Sequence, residues 1–275
     1  GIDAVIVEKD QLGGTCLNWG CIPTKLYLGA VDTGANLADL SRLRLVSGEV
    51  NVDMPALVNR KDKVLAATRS AIAKELTSLG VEVLQGRAQF KEPGLIEIQD
   101  GPDAGELEYE QAMVATGTAP ASLPGLEVDG ENVLNSNHAL SLTQIPESMA
   151  IVGAGAVGLE FSQFFSRMGC QVTLLEIMDT IAPSEDPDMV KQLARGYGKQ
   201  IKILTRTKVQ GLAQNDQGVS LELDNGQNLQ VEKVLVSVGR KPCTPDLGLE
   251  GLGAEIAGPG YIKTNENLLA CPTVY

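Results

Sequence analysis

Two cysteines in a glycine-rich segment are the residues of this sequence best suited to redox chemistry. Cys16 and Cys21 lie five positions apart in GGTCLNWGCIPTK, after an apolar run, DAVIVE, that ends at Glu8. Residues at this spacing in an ideal α-helix have Cα atoms roughly 8.7 Å apart, whereas a disulfide needs about 4.4–6.8 Å. A bonded pair therefore requires Cys16 to lie in a distorted first turn or just before the helix, where the helix N-terminus favours its thiolate. Two separate buried thiols are the alternative.

A second glycine motif has the surroundings of a dinucleotide-binding loop. Gly153-Ala154-Gly155-Ala156-Val157-Gly158 fits G-x-G-x-x-G within MAIVGAGAVGLEFSQFFSRMGCQVTLLE, and Glu176 lies 18 residues beyond Gly158. In such a βαβ unit Gly153 allows the turn, Gly155 the approach of a pyrophosphate, and Gly158 close packing of helix on strand, while Glu176 accepts hydrogen bonds from the ribose 2′-OH. Because Glu176 would repel a 2′-phosphate and residues 177–190 contain no Lys or Arg, NAD is favoured over NADP. A glycine turn with a surface glutamate and no ligand is the alternative.

Periodicity and turn residues predict the elements that carry these motifs. We expect a strand over 3–8, a helix from about 18 to 30, and a long helix over 53–79 with Asp53 as N-cap and Gly80 as its stop. From Ser148 the chain reads strand, helix, strand, followed by a polar helix over 186–197. Shorter β-like segments are expected at 81–85, 86–90, 95–99, 111–115, 201–205, 209–214, 219–223, 229–233 and 234–238.

Composition excludes several classes of function. The 275 residues carry 22 Lys and Arg against 35 Asp and Glu, a net charge of −13, and 43 % of them are hydrophobic. An acidic chain is a poor binder of nucleic acid, and no apolar run reaches the length of about 18 residues that spans a membrane. Five cysteines and the single His138 indicate neither a secreted disulfide scaffold nor a metal site. We expect a cytoplasmic protein of one large or two ordinary domains, without nucleic-acid, membrane or metal binding.

Four motifs resemble those of one enzyme family: GGTCLNWGCIPTK (13–25), VATGTAP (114–120), VGAGAVGLEF (152–161) and VSVGRKP (236–242). On these the chain is identified as a member of the pyridine nucleotide–disulfide oxidoreductase family, and it is most similar to the dihydrolipoamide dehydrogenases within it. The resemblance implies an α/β fold with two Rossmann-like FAD/NAD(P)-binding domains, the first incomplete, each with a parallel sheet plus a small antiparallel β meander. The implied bounds are 1–121 and 240–275 for the FAD-binding domain and 122–239 for the NAD-binding domain.

The resemblance also implies the role of individual residues. Cys16 would be the interchange thiol, Cys21 the charge-transfer thiol against the flavin, and Lys25 would lie near flavin N5 and pair with Glu160. By their types alone, Lys25 and Glu160 could each lie on a solvated helix face. The residues implied to bind FAD are Glu8, Gly14, Thr15, Lys25, Ala115, Thr116, Gly117, Gly239 and Arg240, and those for NAD are Gly153, Gly155, Gly158 and Glu176.

The implied reaction passes electrons from a dithiol through the cysteine pair and FAD to NAD. The implied substrate is a small dithiol or disulfide or a lipoyl domain, and the implied assembly is a homodimer in a 2-oxoacid dehydrogenase complex. Mercuric reductase, glutathione reductase and a non-catalytic dinucleotide-binding protein are the alternatives. These 275 residues contain neither the first FAD glycine loop nor the family's C-terminal dimerisation domain with its His–Glu pair, for which His138 cannot substitute. We therefore expect an internal fragment that is inactive by itself.

Overall fold

A computed structural model describes residues 3–48, 50–197, 201–215 and 218–275. The helices are α1 (Gly14–Trp19), α2 (Cys21–Arg42), α3 (Met54–Ser78), α4 (Ser136–Ala139), α5 (Ala156–Arg167) and α6 (Pro187–Tyr197), and residues Leu249–Leu252 form a 3₁₀ turn. The strands are β1 (Val5–Glu8), β2 (Glu82–Gln85), β3 (Arg87–Glu92), β4 (Leu95–Gln99), β5 (Gly105–Glu108), β6 (Thr118–Pro120), β7 (Val133–Leu134), β8 (Ser148–Val152), β9 (Gln171–Leu175), β10 (Lys202–Leu204), β11 (Val209–Asn215), β12 (Gly218–Leu223), β13 (Asn228–Val231), β14 (Lys233–Val236), β15 (Arg240–Pro242), β16 (Ile256–Ala257) and β17 (Tyr261–Ile262). No helix within these ranges is long and apolar enough to cross a membrane.

The chain divides into two compact units. Unit 1 comprises Gly1–Asn18, Val64–Ala119 and Arg240–Tyr275, and unit 2 comprises Trp19–Lys63 and Pro120–Gly239. Helix α2 therefore belongs to unit 2, whereas the resemblance assigns its residues to the FAD-binding domain. The domain bounds given above stay a prediction.

Unit 2 is built on a parallel sheet of five strands in the order β10-β9-β8-β14-β7. Its central strands are continuous apolar runs, as expected for a sheet covered on both faces, and Met149, Ala150 and Ile151 of β8 have no exposed surface. One face packs on α2 and α5 through Leu28, Leu159 and other apolar side chains. The other face packs on the antiparallel sheet β11-β12-β13. The carboxyl ends of β8 and β9 are thereby fixed at one edge of the sheet.

Unit 1 holds a parallel pair and an antiparallel meander. Strand β1 pairs with β2 in parallel, with Val5 opposite Glu82, and β3-β4-β5 form an antiparallel sheet. The core of the unit contains Phe90, Ile98 and Val274. Strand β6 pairs with β15 in a further two-stranded sheet. The parallel sheet plus antiparallel meander in each unit confirms the predicted fold class.

Two predicted elements need correction. The helix expected over 18–30 is broken at Gly20, whose φ of −141° and ψ of −112° separate α1 from α2, and α2 continues to Arg42. The segment 111–115 is not a strand, because its pairing with the chain's last residues is limited to a single bridge from Ala112 to Val274. The long helix α3 begins as expected, with Asp53 accepting a hydrogen bond from the backbone N–H of Ala56 (2.9 Å).

Candidate functional site

Cys16 and Cys21 are disulfide-bonded, and the other three cysteines carry free thiols. Cys16 lies within the short helix α1, and Cys21 is the first residue of α2. The break at Gly20 between the two helices removes the spacing problem, because an unbroken helix would hold the pair too far apart. Both cysteines are exposed. Cys21 also lies at a helix N-terminus without a side-chain cap, a position that favours a thiolate.

Asn18 holds the loop before Cys16, a role that the sequence analysis missed. Its side chain is 4 % exposed, and its Nδ2 donates to the carbonyl oxygens of Leu12 and Gly14, both at 3.0 Å. Its Oδ1 accepts a hydrogen bond from Arg69 Nη1 of α3 (2.9 Å). A buried amide needs hydrogen-bond partners for both its NH₂ group and its oxygen. The asparagine inside the cysteine motif was therefore the feature of the sequence that could have indicated this structural role.

Thr15, next to Cys16, lies beside the predicted cofactor residues Gly117 and Arg240. Arg240 donates from Nε to Thr118 Oγ1 (2.7 Å) and from Nη2 to the Thr118 carbonyl (2.6 Å). Its Nη2 also lies 3.5 Å from Thr15 Oγ1. A Cβ on Gly117 would be 4.0 Å from the same hydroxyl. Arg240 therefore holds β6 and the segment before Cys16 together, and its Nε and Nη2 groups already donate to protein atoms.

Lys25 and Glu160, the second predicted catalytic pair, form a salt bridge. Lys25 follows Cys21 by one helical turn on α2, and Glu160 lies in the first turns of α5. Since residues four apart share a helix face, the ammonium group of Lys25 lies on the Cys21 side of α2.

The second glycine motif forms the turn from β8 into α5. Gly153 has a φ of 101°, and a Cβ there would lie 2.5 Å from the Ser237 carbonyl oxygen. A Cβ on Gly158 would lie 1.9 Å from the Gly153 carbonyl oxygen. A Cβ on Gly155, by contrast, would meet no atom within 4 Å. Two glycines thus permit the packing of the turn, and the third leaves open space at the uncapped start of α5.

Ser237 and Glu176 hold this turn from both sides. The Ser237 hydroxyl lies 3.0 Å from the carbonyl oxygens of Val152 and Gly153. Glu176, 7 % exposed, accepts from the Ala154 N–H at Oε2 (2.7 Å) and from the Met178 N–H at Oε1 (2.9 Å). The carboxylate is therefore fixed at the carboxyl end of β9, and each of its oxygens keeps a lone pair for a further donor.

The structure brings a cation to this edge that was not expected from residues 177–190. Arg206 follows β10, its backbone N–H donates to the Met178 carbonyl oxygen (2.8 Å), and its Nη2 lies 3.8 Å from Asp179 Oδ2. The carboxyl ends of the adjacent parallel strands β9 and β10 lie side by side. Arg206 was therefore missed when only the residues directly after Glu176 were considered.

The remaining predicted residues lie apart from these contacts. Glu8 accepts from the Asp10 N–H (2.8 Å) at the end of β1. Ala115 and Thr116 are exposed, and the Gly239 carbonyl accepts from the Ala121 N–H (3.0 Å). His138 accepts from the Asn135 N–H at the start of α4. No group of three or more metal-ligating side chains occurs in the described parts of the chain.

Residues 1–275 match the family model described as pyridine nucleotide-disulphide oxidoreductase. The chain is 32 % identical to dihydrolipoyl dehydrogenase 2 of Haloarcula marismortui over 285 residues, which cover 100 % of this chain and 59 % of that protein. It is 34 % identical to the dihydrolipoyl dehydrogenase of Halobacterium salinarum, over 96 % of this chain and 57 % of that protein. The chain thus spans about three-fifths of the length of these curated relatives.

Solved structures show the same fold. LpdA from Mycobacterium tuberculosis superposes with a TM-score of 0.90 at 25 % identity, over 99 % of this chain and 61 % of that one. The HOCl-induced flavoprotein disulfide reductase RclA from Escherichia coli has a TM-score of 0.86 at 24 % identity, over 100 % of this chain and 60 % of that one. The second likeness supports the fold alone.

Proposed function

The chain belongs to the pyridine nucleotide-disulphide oxidoreductase family, and from this premise we propose that it supplies the redox disulfide and the NAD-binding unit of a flavin-dependent dihydrolipoyl dehydrogenase. The observation that carries the proposal is the bonded pair Cys16–Cys21 at the start of the helix that also presents Lys25 to Glu160.

The cysteine pair can oxidise a dithiol by thiol–disulfide exchange. One substrate thiolate attacks Sγ of Cys16, the Cys16–Cys21 bond breaks, and its electron pair leaves on Cys21. The second substrate thiolate then attacks the substrate sulfur that is bonded to Cys16, and Cys16 leaves as a thiolate. The substrate becomes a disulfide, the cysteine pair holds two electrons, and the two substrate protons pass to the released thiolates or to solvent. The N-terminus of α2 and the Lys25 ammonium group both favour the Cys21 thiolate.

The turn around Gly155 fits the pyrophosphate of a dinucleotide. The first N–H groups of α5 are uncapped, they carry the positive end of the helix dipole, and the space beside Gly155 is open. Glu176 faces the same turn with a free lone pair on each oxygen, as a ribose hydroxyl donor requires.

NAD is the dinucleotide that this edge favours. The Glu176 carboxylate is buried and anchored by two backbone N–H groups, so it cannot turn away from a 2′-phosphate. Arg206, the added cation, has Asp179 as its neighbour. The carboxylates of Glu176 and Asp179 outnumber the exposed guanidinium of Arg206, so this edge of the sheet repels the dianionic 2′-phosphate of NADP.

The residues of the first motif fit an FAD. Gly14 and Gly117 have φ values of 65° and 66°, and a Cβ on Gly14 would meet nothing within 4 Å. Exposed left-handed glycines with free space beside them allow a flat ligand to approach the backbone. The residues that would hold FAD are Glu8, Gly14, Thr15, Lys25, Ala115, Thr116, Gly117, Gly239 and Arg240. When bound, FAD supplies a two-electron carrier between the thiols and NAD.

The proposal extends to the whole protein. We place it in the cytoplasm, where the free thiols Cys170, Cys243 and Cys271 are typical, and as a homodimer that oxidises the lipoyl domain of a 2-oxoacid dehydrogenase complex.

The test is dithiol-dependent reduction of NAD by the flavin-containing protein that carries these residues. Cys16→Ser and Cys21→Ser should each abolish NADH formation from dihydrolipoamide, and Cys243→Ser serves as the matched control with full activity expected. The visible spectrum on dithiol addition gives a second readout, because removing Cys16 leaves the Cys21 thiolate available to the flavin. Persistent NADH formation by Cys16→Ser would refute the assignment.

A further inference from the structure

Helices α2 and α5 carry two ion pairs in the same register. Lys25 of α2 pairs with Glu160 of α5, and Asp32 of α2 pairs with Arg167 of α5. The two pairs are seven residues apart on each helix, which is about two turns. The helices therefore run parallel, with Cys21 and the glycine turn before Ala156 at corresponding ends.

The space between the two ion pairs is filled by aromatic and amide contacts. The rings of Tyr27 and Phe164 lie 5.0 Å apart, and each side chain is 1 % exposed. Gln163 Nε2 donates to Asp32 Oδ1 (3.2 Å), and the Tyr197 hydroxyl of α6 donates to Gln163 Oε1 (3.1 Å). Burial, and after it the Glu160 charge, raises the pKa of Tyr197, so its hydroxyl keeps the proton that it donates.

The order of charges is reversed between the helices. Along α2 the cation Lys25 comes before the anion Asp32, and along α5 the anion Glu160 comes before the cation Arg167. A slip of two turns would place Lys25 beside Arg167 or Asp32 beside Glu160, and like charges at contact oppose that packing.

We propose that Asp32 and Arg167 are positioning residues that lock α2 to α5, so that Glu160 stays on Lys25 and sets the charge next to Cys21. The inference rests on the proposed function of Cys21 as the thiol that leaves in the exchange. Lys25 lies one turn after Cys21, and an unpaired ammonium group there would stabilise the Cys21 thiolate more than a paired one does. Breaking the lock therefore lowers the pH at which the Cys21 thiol ionises.

The test measures that pH midpoint by alkylation of Cys21 in the reduced chain, with Cys16→Ser and Cys243→Ser as the background. Glu160→Gln defines the full effect of freeing Lys25, about half a pH unit for a partly exposed charge one helical turn from the thiol. Asp32→Arg and Arg167→Asp should each lower the midpoint in the same direction, by up to that amount. The double variant Asp32→Arg/Arg167→Asp restores the pair with its charges exchanged, and it should return the midpoint to the background value.

A control variant separates positioning from a direct effect of charge. Asp39→Arg makes the same charge change on α2 at an exposed pair with Arg42, and it should leave the midpoint unchanged. Asp32 and Cys21 are separated along α2 by more than a Debye length, which is about 8 Å. A direct effect of the Asp32 charge on the Cys21 thiol is therefore screened. Asp32→Asn and Arg167→Met provide milder changes if a reversal prevents folding.

Lower melting temperatures with an unchanged midpoint in the single variants would overturn the proposal, as would a double variant that does not recover. Neither flavin nor dinucleotide takes part in this measurement. A protein that fails to reduce NAD would therefore refute the proposed function without changing this result.

Discussion

Two glycines in the α5 turn should respond differently when a methyl group is added to each. Gly158→Ala places a Cβ 1.9 Å from the Gly153 carbonyl oxygen and 2.8 Å from the Ser237 hydroxyl. Gly155→Ala places the same atom in open space at a backbone φ of −74° that alanine adopts freely. The first substitution should destabilise the fold, and the second should weaken dinucleotide binding.

The sizes follow from the contacts. The clash at Gly158 is with backbone, so relief requires α5 to move off β8 at a cost of about 3 kcal/mol, of which the better helix propensity of alanine regains about 1 kcal/mol. The net loss of about 2 kcal/mol corresponds to a fall in melting temperature of roughly 4–8 °C. At Gly155 the loss is that of an N-cap glycine, about 0.5–1 kcal/mol, but the methyl group lies where the pyrophosphate must approach. We expect NADH affinity to fall at least about tenfold, or 1.4 kcal/mol.

Thermal unfolding and NADH fluorescence titration of both variants provide the measurement. Gly29→Ala, at an exposed glycine of helix α2 with open space around its Cβ, controls for the loss of a glycine alone. If Gly155→Ala binds NADH like the unsubstituted chain, the open space is not a pyrophosphate site. If Gly158→Ala melts at the unchanged temperature, the argument from the carbonyl clash is wrong.

Three further predictions test other parts of the structure. Asn18→Ala should lower stability by about 1–3 kcal/mol, because partly buried carbonyl groups lose their donor and Arg69 loses its acceptor. It should also change the rate at which reduced Cys16 reacts with a disulfide reagent, and Asn18→Asp, which cannot donate, should not restore that rate. Burial opposes ionisation of Asp129, but hydrogen bonds from backbone N–H groups and a glutamine lower its pKa overall. A carboxyl group whose pKa is lowered by folding stabilises the folded state at pH values above its unfolded pKa of about 4, and this stability is lost as the pH falls through the folded-state pKa. In Asp129→Asn, the free energy of unfolding measured in urea should therefore depend less on pH in that acidic range. Its slope against pH near neutrality should be unchanged. Burial, and then the Glu232 charge, raises the pKa of Cys170 to about 12, so iodoacetamide at pH 8 should label reduced Cys16 and leave Cys170 unlabelled in the folded chain; equal labelling would contradict its burial.

The glycine turn was predictable because part of its geometry is local. Gly158 is required by its close approach to the Gly153 carbonyl oxygen within the same βαβ unit. The close approach at Gly153 is to Ser237, which follows β14 and lies outside that unit. The long helix was predictable for the same reason, since Asp53 caps it through the N–H of Ala56 three residues later. Periodicity and capping report such short-range contacts directly.

The break between α1 and α2 was not predictable from periodicity. The segment around Gly20 reads as one helix, and what interrupts it is a backbone conformation with φ −141° and ψ −112° combined with the disulfide. Asn18 and Arg69 meet across 51 positions of sequence, and Arg206 reaches Asp179 only because β10 lies beside β9. Contacts of this kind depend on topology, which no window along a single sequence contains.

The parallel packing of α2 on α5 places the cysteine motif and the glycine motif as the proposed reaction requires, although they are far apart in sequence. Each motif ends in a helix N-terminus, Cys21 for one and Ala156 for the other, and the pairs at Lys25 and Arg167 hold the two helices in a single register. Both N-termini therefore point to the same end of unit 2, where their dipoles favour a thiolate and a pyrophosphate. An antiparallel arrangement would place the two helix N-termini at opposite ends.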